Sequence, residues 1–270
     1  MYQKKVLLMG GMGNKFFQIA RALELKQRGI AVEIVYIGLS MRGIYKFSGH
    51  TIHSDWLDLT VFAGQLGLDV RPISFFELLS LSLRFASRKI GLPVRFDQKI
   101  EDALILDSKF VGCTWDIGYF QSKYHVAKSS LNQVADGLIS LLKIKETTSR
   151  DVMVCHIRGG DFDINVRISK NHIEALVDYC KLESLKLVVV TNDKVYCREL
   201  FEDQIYNISH GKSALDDFKI LASSRHLYLS NSTFAFWAAL IAIMSHNAVP
   251  HVPENWSYSD FISGPEKPTS

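Results

Sequence analysis

Short apolar runs alternate along this chain with stretches of helical periodicity, and the series breaks off once and restarts. An apolar run with no polar alternation has to be covered on both faces, which calls for a parallel sheet between layers of helices. In the first series Lys4–Met9, Ala31–Ile37, Val70–Ile73, Ala103–Leu106 and Phe110–Cys113 read as strands. Asn14–Gly29, Leu57–Leu66, Phe75–Ser87 and Tyr124–Leu142 read as the helices between and after them. Lys145–Arg150 is polar and reads as a linker. The second series has strands at Val152–Ile157, Leu185–Thr191 and Leu227–Ser230, with helices at Lys170–Lys181, Tyr196–Asp203, Ala214–Ser223 and Phe234–Ser245. The expected architecture is α/β, with two Rossmann-like parallel-sheet domains, residues 1–146 and 147–270, facing a cleft. Ligands in such sheets sit beyond the carboxyl ends of the strands.

At 270 residues and 47% hydrophobic, the chain is long enough for two cores and too apolar for a disordered polymer. The net charge of +3, from 31 basic against 28 acidic residues, lacks the excess of a general nucleic-acid binder. Cys113, Cys155, Cys180 and Cys197 form no C-x-x-C pair, so reduced thiols are expected rather than a zinc site or a disulfide framework. The apolar run Phe234–Met244 falls short of the ~20 residues of a membrane span. A cytoplasmic enzyme is the expectation.

The chemistry is to be sought just after the strands. Gly10-Gly11-Met12-Gly13-Asn14 follows the first. Glycines let the backbone approach a ligand, and a helix N-terminus offers N–H groups to an anion. Gly11 and Gly13 fit the start of a dinucleotide fingerprint, but Phe16 fills the third glycine's place. The second strand also leads into Gly38-Leu39-Ser40, without a ribose-binding acid, which disfavours a nicotinamide cofactor. The plain alternative is a tight turn capped by Asn14.

His156-Ile157-Arg158-Gly159-Gly160-Asp161 follows the first strand of the second series. Arg158 offers a planar fork to a phosphate, and paired glycines can turn successive N–H groups toward one anion. A buried Arg–Asp pair is the plain alternative. Asp161-Phe162-Asp163 is a D-x-D, too common a spacing to imply a metal. Thr191-Asn192-Asp193 reads as an Asx turn or helix cap. Ser230-Asn231-Ser232-Thr233-Phe234 either caps the helix that follows or binds a phosphate there. Asp217 could accept the two N–H donors on one edge of guanine and so reject adenine. Gly211-Lys212-Ser213 lacks the upstream glycine of a P-loop, and no G-x-S-x-G elbow occurs. His50 and His53 have no evident third ligand.

Taken together these segments resemble glycosyltransferase family 11, the α-1,2-fucosyltransferases, and most of all its soluble bacterial members. Gly10 to Gln18 resembles the opening G-G-x-G-N-Q-x-F-Q, and Gly118-Tyr119-Phe120-Gln121-Ser122 resembles G-Y-[WF]-Q-S. His156 to Asp161 resembles H-x-R-R-x-D. Asp217 with Asn231-Ser232-Thr233-Phe234 and Trp237 resembles D…N-S-T-F-x-x-W, and Pro253-Glu254-Asn255-Trp256 resembles P-x-x-W. There are two departures. The family's second arginine is Gly159 here, and the glutamine after Asn14 is Lys15, which is expected to restore part of the lost charge.

The resemblance implies an inverting GT-B-like enzyme. It would move L-fucose from GDP-β-L-fucose to the 2-hydroxyl of a galactoside, in surface polysaccharide or O-antigen synthesis. Arg158, Asn14 and Asp161 would be catalytic. Gly11, Gly13, His156, Asp217, Asn231, Ser232, Thr233 and Phe234 would hold the GDP-sugar. Asp116, Asp161 and His156 are candidates for the base. No metal or other cofactor is expected, because Arg158 and helix N-termini can carry the leaving charge. The acceptor would be a galactose-terminated oligosaccharide, lipid-linked in one version. Leu79–Phe96 carries Arg84, Arg88, Lys89 and Arg95 without an acid, which reads either as a plain solvated helix face or as a peripheral contact with the cytoplasmic face of the inner membrane. The alternatives are the same fold using another GDP-deoxysugar such as GDP-colitose, or a non-catalytic sugar-nucleotide-binding protein.

Overall fold

The computed structural model describes residues 3–37, 57–89, 99–100, 103–108, 113–121, 123–146, 149–159, 168–201, 206–209, 213–252, 256, 258 and 261–262. Contacts divide the chain into two compact units, Met1–Val134 and Ala135–Ser270.

The first unit holds β1 (Gln3–Leu8), α1 (Met12–Gln27), β2 (Val32–Tyr36), α2 (Leu59–Gln65), β3 (Val70–Pro72) and α3 (Phe75–Lys89). After these come β4 (Lys99–Ile100), β5 (Ala103–Ser108), β6 (Cys113–Gly118) and the start of α4 (Lys128–Leu142). The strand order is β3-β2-β1-β6-β5-β4. β3, β2, β1 and β6 run parallel, while β5 pairs antiparallel with β6 on one side and with the short edge strand β4 on the other. The short connection from β5 to β6 explains the reversal, because a parallel crossover needs a dozen residues or more. β6 also lies C-terminal to the expected Phe110–Cys113. Thr114 and Asp116 interrupt its apolar pattern, and Asp116 is nonetheless completely buried. α1 is an all-round core helix. Phe16, Phe17, Ile19, Ala20 and Ala22 have no exposed surface, and Phe16 meets Phe62 of α2 edge-on.

The second unit holds β7 (Val152–Ile157), α5 (Lys170–Leu182), β8 (Lys186–Thr191), α6 (Lys194–Phe201), β9 (Asn207–Ile208) and α7 (Ala214–Ala222). It ends with β10 (His226–Tyr228), α8 (Thr233–His246) and β11 (Val249–His251). All pairings are parallel, in the order β11-β10-β7-β8-β9. Counted from β7, that is the Rossmann order 3-2-1-4-5, whose direction of winding reverses between β7 and β10. One core joins β7, β8, α5 and α6 through Met153, Cys155, Ile157, Leu176, Val189 and Phe201. The thiols of Cys155, Cys180 and Cys197 are free and buried, and burial raises the pKa of each. α8 is apolar on nearly every side, as a central helix must be, and stops at Asn247 in the left-handed conformation (φ 54°). Among the described residues no helix is long and apolar enough to cross a membrane.

Candidate active site

The reversal point of the second sheet is where a Rossmann unit takes its ligand, and two predicted segments meet there. His156 is the penultimate residue of β7, and Ser230 follows β10. His156 Nδ1 and Ser230 Oγ are 2.6 Å apart. Trp256, from the P-x-x-W segment, donates its indole N–H to the Ser230 carbonyl at 3.3 Å. The His156 ring lies 5.6 Å from that of Phe234, which in turn meets Phe218 edge-on at 5.3 Å. Burial first, and the Arg158 guanidinium second, push the His156 imidazole down to about 3, so the ring is neutral at physiological pH. A ring so reluctant to take a proton is poorly suited to act as a general base.

Arg158 stands two residues beyond His156 and is partly exposed. The register pairs Ile157 with Thr191, so the loops after β7 and β8 lie side by side. The Gly159 N–H donates to Asn192 Oδ1 at 3.0 Å and is therefore turned to the protein, not to an anion as the glycine pair suggested. Asp193 caps α6, accepting the Tyr196 N–H at 3.0 Å, so the turn-and-cap reading of Thr191-Asn192-Asp193 holds. Asp161, Gly160 and the D-x-D lie outside the described residues.

Asp217 sits in the first turn of α7, half-buried. The Ser209 hydroxyl, just past β9, donates to its Oδ1 at 3.4 Å. Burial, with Asp216 adding to it, raises its pKa against the lowering effects of Ser209 and Lys194. Ser232 is the N-cap of α8 and accepts the Phe234 N–H at 3.3 Å. Capping thus accounts for one hydroxyl and one N–H of the N-S-T-F segment. Asn231 and Thr233 are partly exposed beside it.

In the first unit the matching place is between β1 and β6. α1 begins at Met12 with Gly11 as N-cap and no side-chain cap, so Asn14 does not cap it. Instead Asn14 Oδ1 accepts from Gln121 Nε2 at 3.0 Å. Gly10 (φ 76°) passes so close beneath that a Cβ there would lie 2.7 Å from Asn14 Nδ2 and 3.0 Å from the Tyr119 ring. Gln18 is wholly buried and spans the two strand ends. Its Oε1 accepts the Met9 N–H and its Nε2 donates to the Gly118 carbonyl, both at 2.9 Å. Phe120, fully buried with φ 52°, turns the chain so that Gln121 reaches Asn14. A left-handed aromatic residue is uncommon, and here it is held by burial and by the Arg21 guanidinium 5.7 Å from its ring. Lys15, next to Asn14, is buried on α1.

Asp116 is engaged in a buried ion pair. It is wholly buried and accepts from Arg21 Nε and Nη2 at 3.1 and 3.0 Å and from Lys4 Nζ at 3.3 Å. Arg21 is anchored in turn on the His125 carbonyl at 2.9 Å. Among the described residues no group of three or more His, Cys, Asp or Glu is placed to hold a metal ion.

The family model described as glycosyl transferase family 11 matches residues 106–269. The chain belongs to glycosyl transferase family 11. This glycosyltransferase carries two α/β units, each built on a largely or wholly parallel sheet. Similar solved structures include the fucosyltransferase NodZ from Bradyrhizobium, at 15% identity and TM-score 0.42 over 89% of this chain and 92% of that one. A NodZ α-1,6-fucosyltransferase soaked with GDP-fucose gives 14%, 0.44, 89% and 92%. E. coli heptosyltransferase WaaC with ADP gives 9%, 0.43, 97% and 90%. A comparison with curated proteins gave no match.

The contacts that Ser230, Gln121 and Asn192 make across loops are not readable from the sequence, where Ser230 belongs to the capping or phosphate-binding segment and Asn192 to a turn or cap. Gln18 had a readable signal, as an amide between Phe17 and Ile19 on an otherwise apolar face.

Proposed function

We propose that this family 11 glycosyltransferase is an inverting α-1,2-fucosyltransferase with GDP-β-L-fucose as donor and a galactose-terminated glycan as acceptor. The observation that carries the reading is the His156–Ser230 contact at the winding reversal of the second sheet, with Arg158 beside it. The neutral imidazole, held at Nδ1 by the Ser230 hydroxyl, turns Nε2 toward a hydrogen bond with the nucleotide. Asp217 accepts from guanine. Arg158 and the N-terminus of α8, with Asn231, Ser232 and Thr233, take the diphosphate. Gly11, Gly13 and Asn14 contribute the first unit's backbone and amide to the sugar.

In the reaction the acceptor 2-hydroxyl oxygen bonds to the fucose anomeric carbon as the bond from that carbon to the β-phosphate oxygen breaks. The electron pair leaves on GDP and the acceptor proton passes to a base, for which Asp161 is our choice. Charge grows on the β-phosphate, and preorganised donors there lower the barrier. Arg158 supplies that charge in place of a metal. Arg158→Ala should cost about 3 kcal/mol of barrier, the scale of a lost oxyanion donor.

Gly159 in the place of the family's arginine favours a second reading, in which the same site takes another GDP-deoxysugar such as GDP-colitose. Thermal stabilisation by GDP-fucose, GDP-mannose and ADP-ribose, with a chelator present, separates the two. A ligand at 100 times its Kd adds about 2.7 kcal/mol. A shift with GDP-fucose alone is the expected result. Equal shifts with both GDP-sugars would favour the second reading, and no shift with any would overturn both.

The acceptor carries a lipid in this reading, and the enzyme works at the cytoplasmic face of the inner membrane in surface-polysaccharide assembly. α3 begins with the exposed Phe75 and Phe76, 52% and 80% accessible, ahead of the basic run at Arg84, Arg88 and Lys89. Sedimentation with anionic liposomes tests this, and absence of lipid-dependent pelleting would remove it.

A further inference from the structure

We propose that Asn192 and Asp193 form a latch that positions the Arg158 loop, and that this latch is the physical reason for glycine at position 159. Asn192 engages both backbone polar groups of Gly159. Its Oδ1 accepts the Gly159 N–H at 3.0 Å, and its Nδ2 donates to the Gly159 carbonyl at 3.4 Å. The loop after β7 is thereby fastened to the loop after β8, one residue beyond Arg158.

Asp193 fixes the other side of the same contact. A Cβ on Gly159 would lie 2.7 Å from Asp193 Cβ, 3.0 Å from Asp193 Oδ2 and 3.0 Å from the Tyr196 ring. The Asp193 Cβ is no flexible tip. It is tied to its backbone, and the backbone is held by Asp193 N–H donating to Thr191 Oγ1 at 3.0 Å and by the α6 cap. Tyr196 is held as well, its hydroxyl donating to the Ile168 carbonyl at 3.0 Å. Gly159 does not adopt a left-handed φ, so glycine is required here for space and not for backbone angle. Any side chain at 159, arginine included, forces Asp193 to shift.

The consequence is a rigid platform. A guanidinium on a free loop loses conformational freedom at each encounter with a ligand, whereas one whose neighbour is pinned at both N–H and C=O is preorganised. Asn192 is a positioning residue and touches no substrate itself. The inference rests on the proposed function only in taking the diphosphate as the ligand of Arg158.

The test uses the full chain. Hydrogen exchange across residues 152–159 reads the latch without any ligand, and calorimetry with GDP reads its effect on Arg158. In Asn192→Ala the Gly159 amide should lose its protection. GDP affinity should fall on the order of tenfold to a hundredfold, as misplacement of a binding group does. In the Arg158→Ala background the same substitution should change affinity less than about twofold, because positioning effects vanish with the group positioned. A merely structural role would give equal losses in both backgrounds, which overturns the proposal, as would unchanged exchange.

If Asn192→Ala fails to fold, Asn192→Asp keeps the acceptor for the Gly159 N–H and should retain its protection. A second pair makes the same test through space. Gly159→Ala should weaken GDP binding, and adding Asp193→Gly should restore it, since glycine keeps most of a helix cap. Should the wild-type chain not bind GDP, the nucleotide reading fails, and the exchange arm still decides the latch.

Discussion

His156 Nδ1 lies 2.6 Å from Ser230 Oγ, and this contact ties the end of β7 to the segment after its neighbour β10, where the second sheet reverses its winding. The histidine is wholly inside, with only 4% of its surface accessible. Burying an imidazole there is tolerable because it stays neutral and because one ring nitrogen is satisfied by the serine. The contact fixes the orientation of a neutral ring, and Nε2 is the nitrogen turned to a nucleotide hydrogen bond.

The same burial makes stability depend on pH. His156 has a folded pKa of about 3 against an ordinary 6.5. Between these values the unfolded chain binds a proton that the folded chain refuses. Its contribution is thus fully present above about 6.5 and is lost as pH falls toward 3. Urea unfolding at pH 7 and pH 5 should show wild-type stability dropping more than that of His156→Gln. The difference has an upper slope of about 1.4 kcal/mol per pH unit. Carboxylates titrate mainly below that window, and the other histidines cancel in the comparison. Parallel pH profiles would show that the ring is not buried neutral.

A second prediction concerns the buried pair in the first unit. Arg21→Met leaves Asp116 without its two guanidinium hydrogen bonds in a site with no water access. Removing one partner of a buried pair costs about 3–5 kcal/mol. The double variant Arg21→Met with Asp116→Leu should recover most of that, since two apolar groups leave no stranded charge. Equilibrium urea curves measure both. The pattern expected of a structural pair, and not of a catalytic base, is that stability tracks the pairing.

Asp116 also shows where reading the sequence stops. Three of the five strands described in the second unit are legible in the sequence. β7 has the predicted bounds, and β8 and α5 each differ by one residue at one end. Their apolar runs are continuous and their helices end in recognisable turns. β6 was misplaced because its central residue is a carboxylate whose partner, Arg21, lies far away in sequence on α1. A charge buried through a distant partner has no local signature. β9 and β11 are two and three residues long and leave too little pattern to detect. The candidate site followed the same rule. Motif residues such as His156 and Asp217 were legible. Ser230, Gln121 and Asn192 act through contacts between loops that only the strand order brings together.

Asp217 carries a cost that its proposed role explains. Burial raises its pKa above the ordinary carboxylate value of 3.8. A raised carboxyl favours the fold below 3.8 and loses that contribution as pH climbs through the folded value, so at pH 7 the ionised group opposes folding. Asp217→Asn should therefore raise the Tm of the free protein. It should also weaken GDP binding by tenfold or more, because an amide leaves guanine donors unpaired and a hydrogen bond to a charged group is worth about 1.5–3 kcal/mol. Differential scanning fluorimetry with and without GDP measures both at once. A variant that is destabilised and still binds GDP normally would take Asp217 out of the base-reading role.

The last prediction turns on which way the Asn14 amide faces. Gln121 Nε2 donates to Asn14 Oδ1 at 3.0 Å, so Asn14 has its Nδ2 hydrogens left to offer. Gln121→Glu preserves size and shape but makes residue 121 an acceptor at both ends. Asn14 must then rotate its amide to donate to the glutamate and present its oxygen instead, which repels a sugar or phosphate oxygen. Turnover should fall at least ~100-fold, the scale of one lost transition-state donor. Stability should hold, because the new bond is charge-assisted. Steady-state kinetics with GDP-fucose, alongside the Tm, separates this from unfolding. Full activity in Gln121→Glu would mean that Asn14 acts through its carbonyl, with Gln121 as acceptor. Asn14→Asp distinguishes the two orientations again from the other side. It should inactivate the enzyme if Asn14 is the donor and be tolerated if its oxygen does the work.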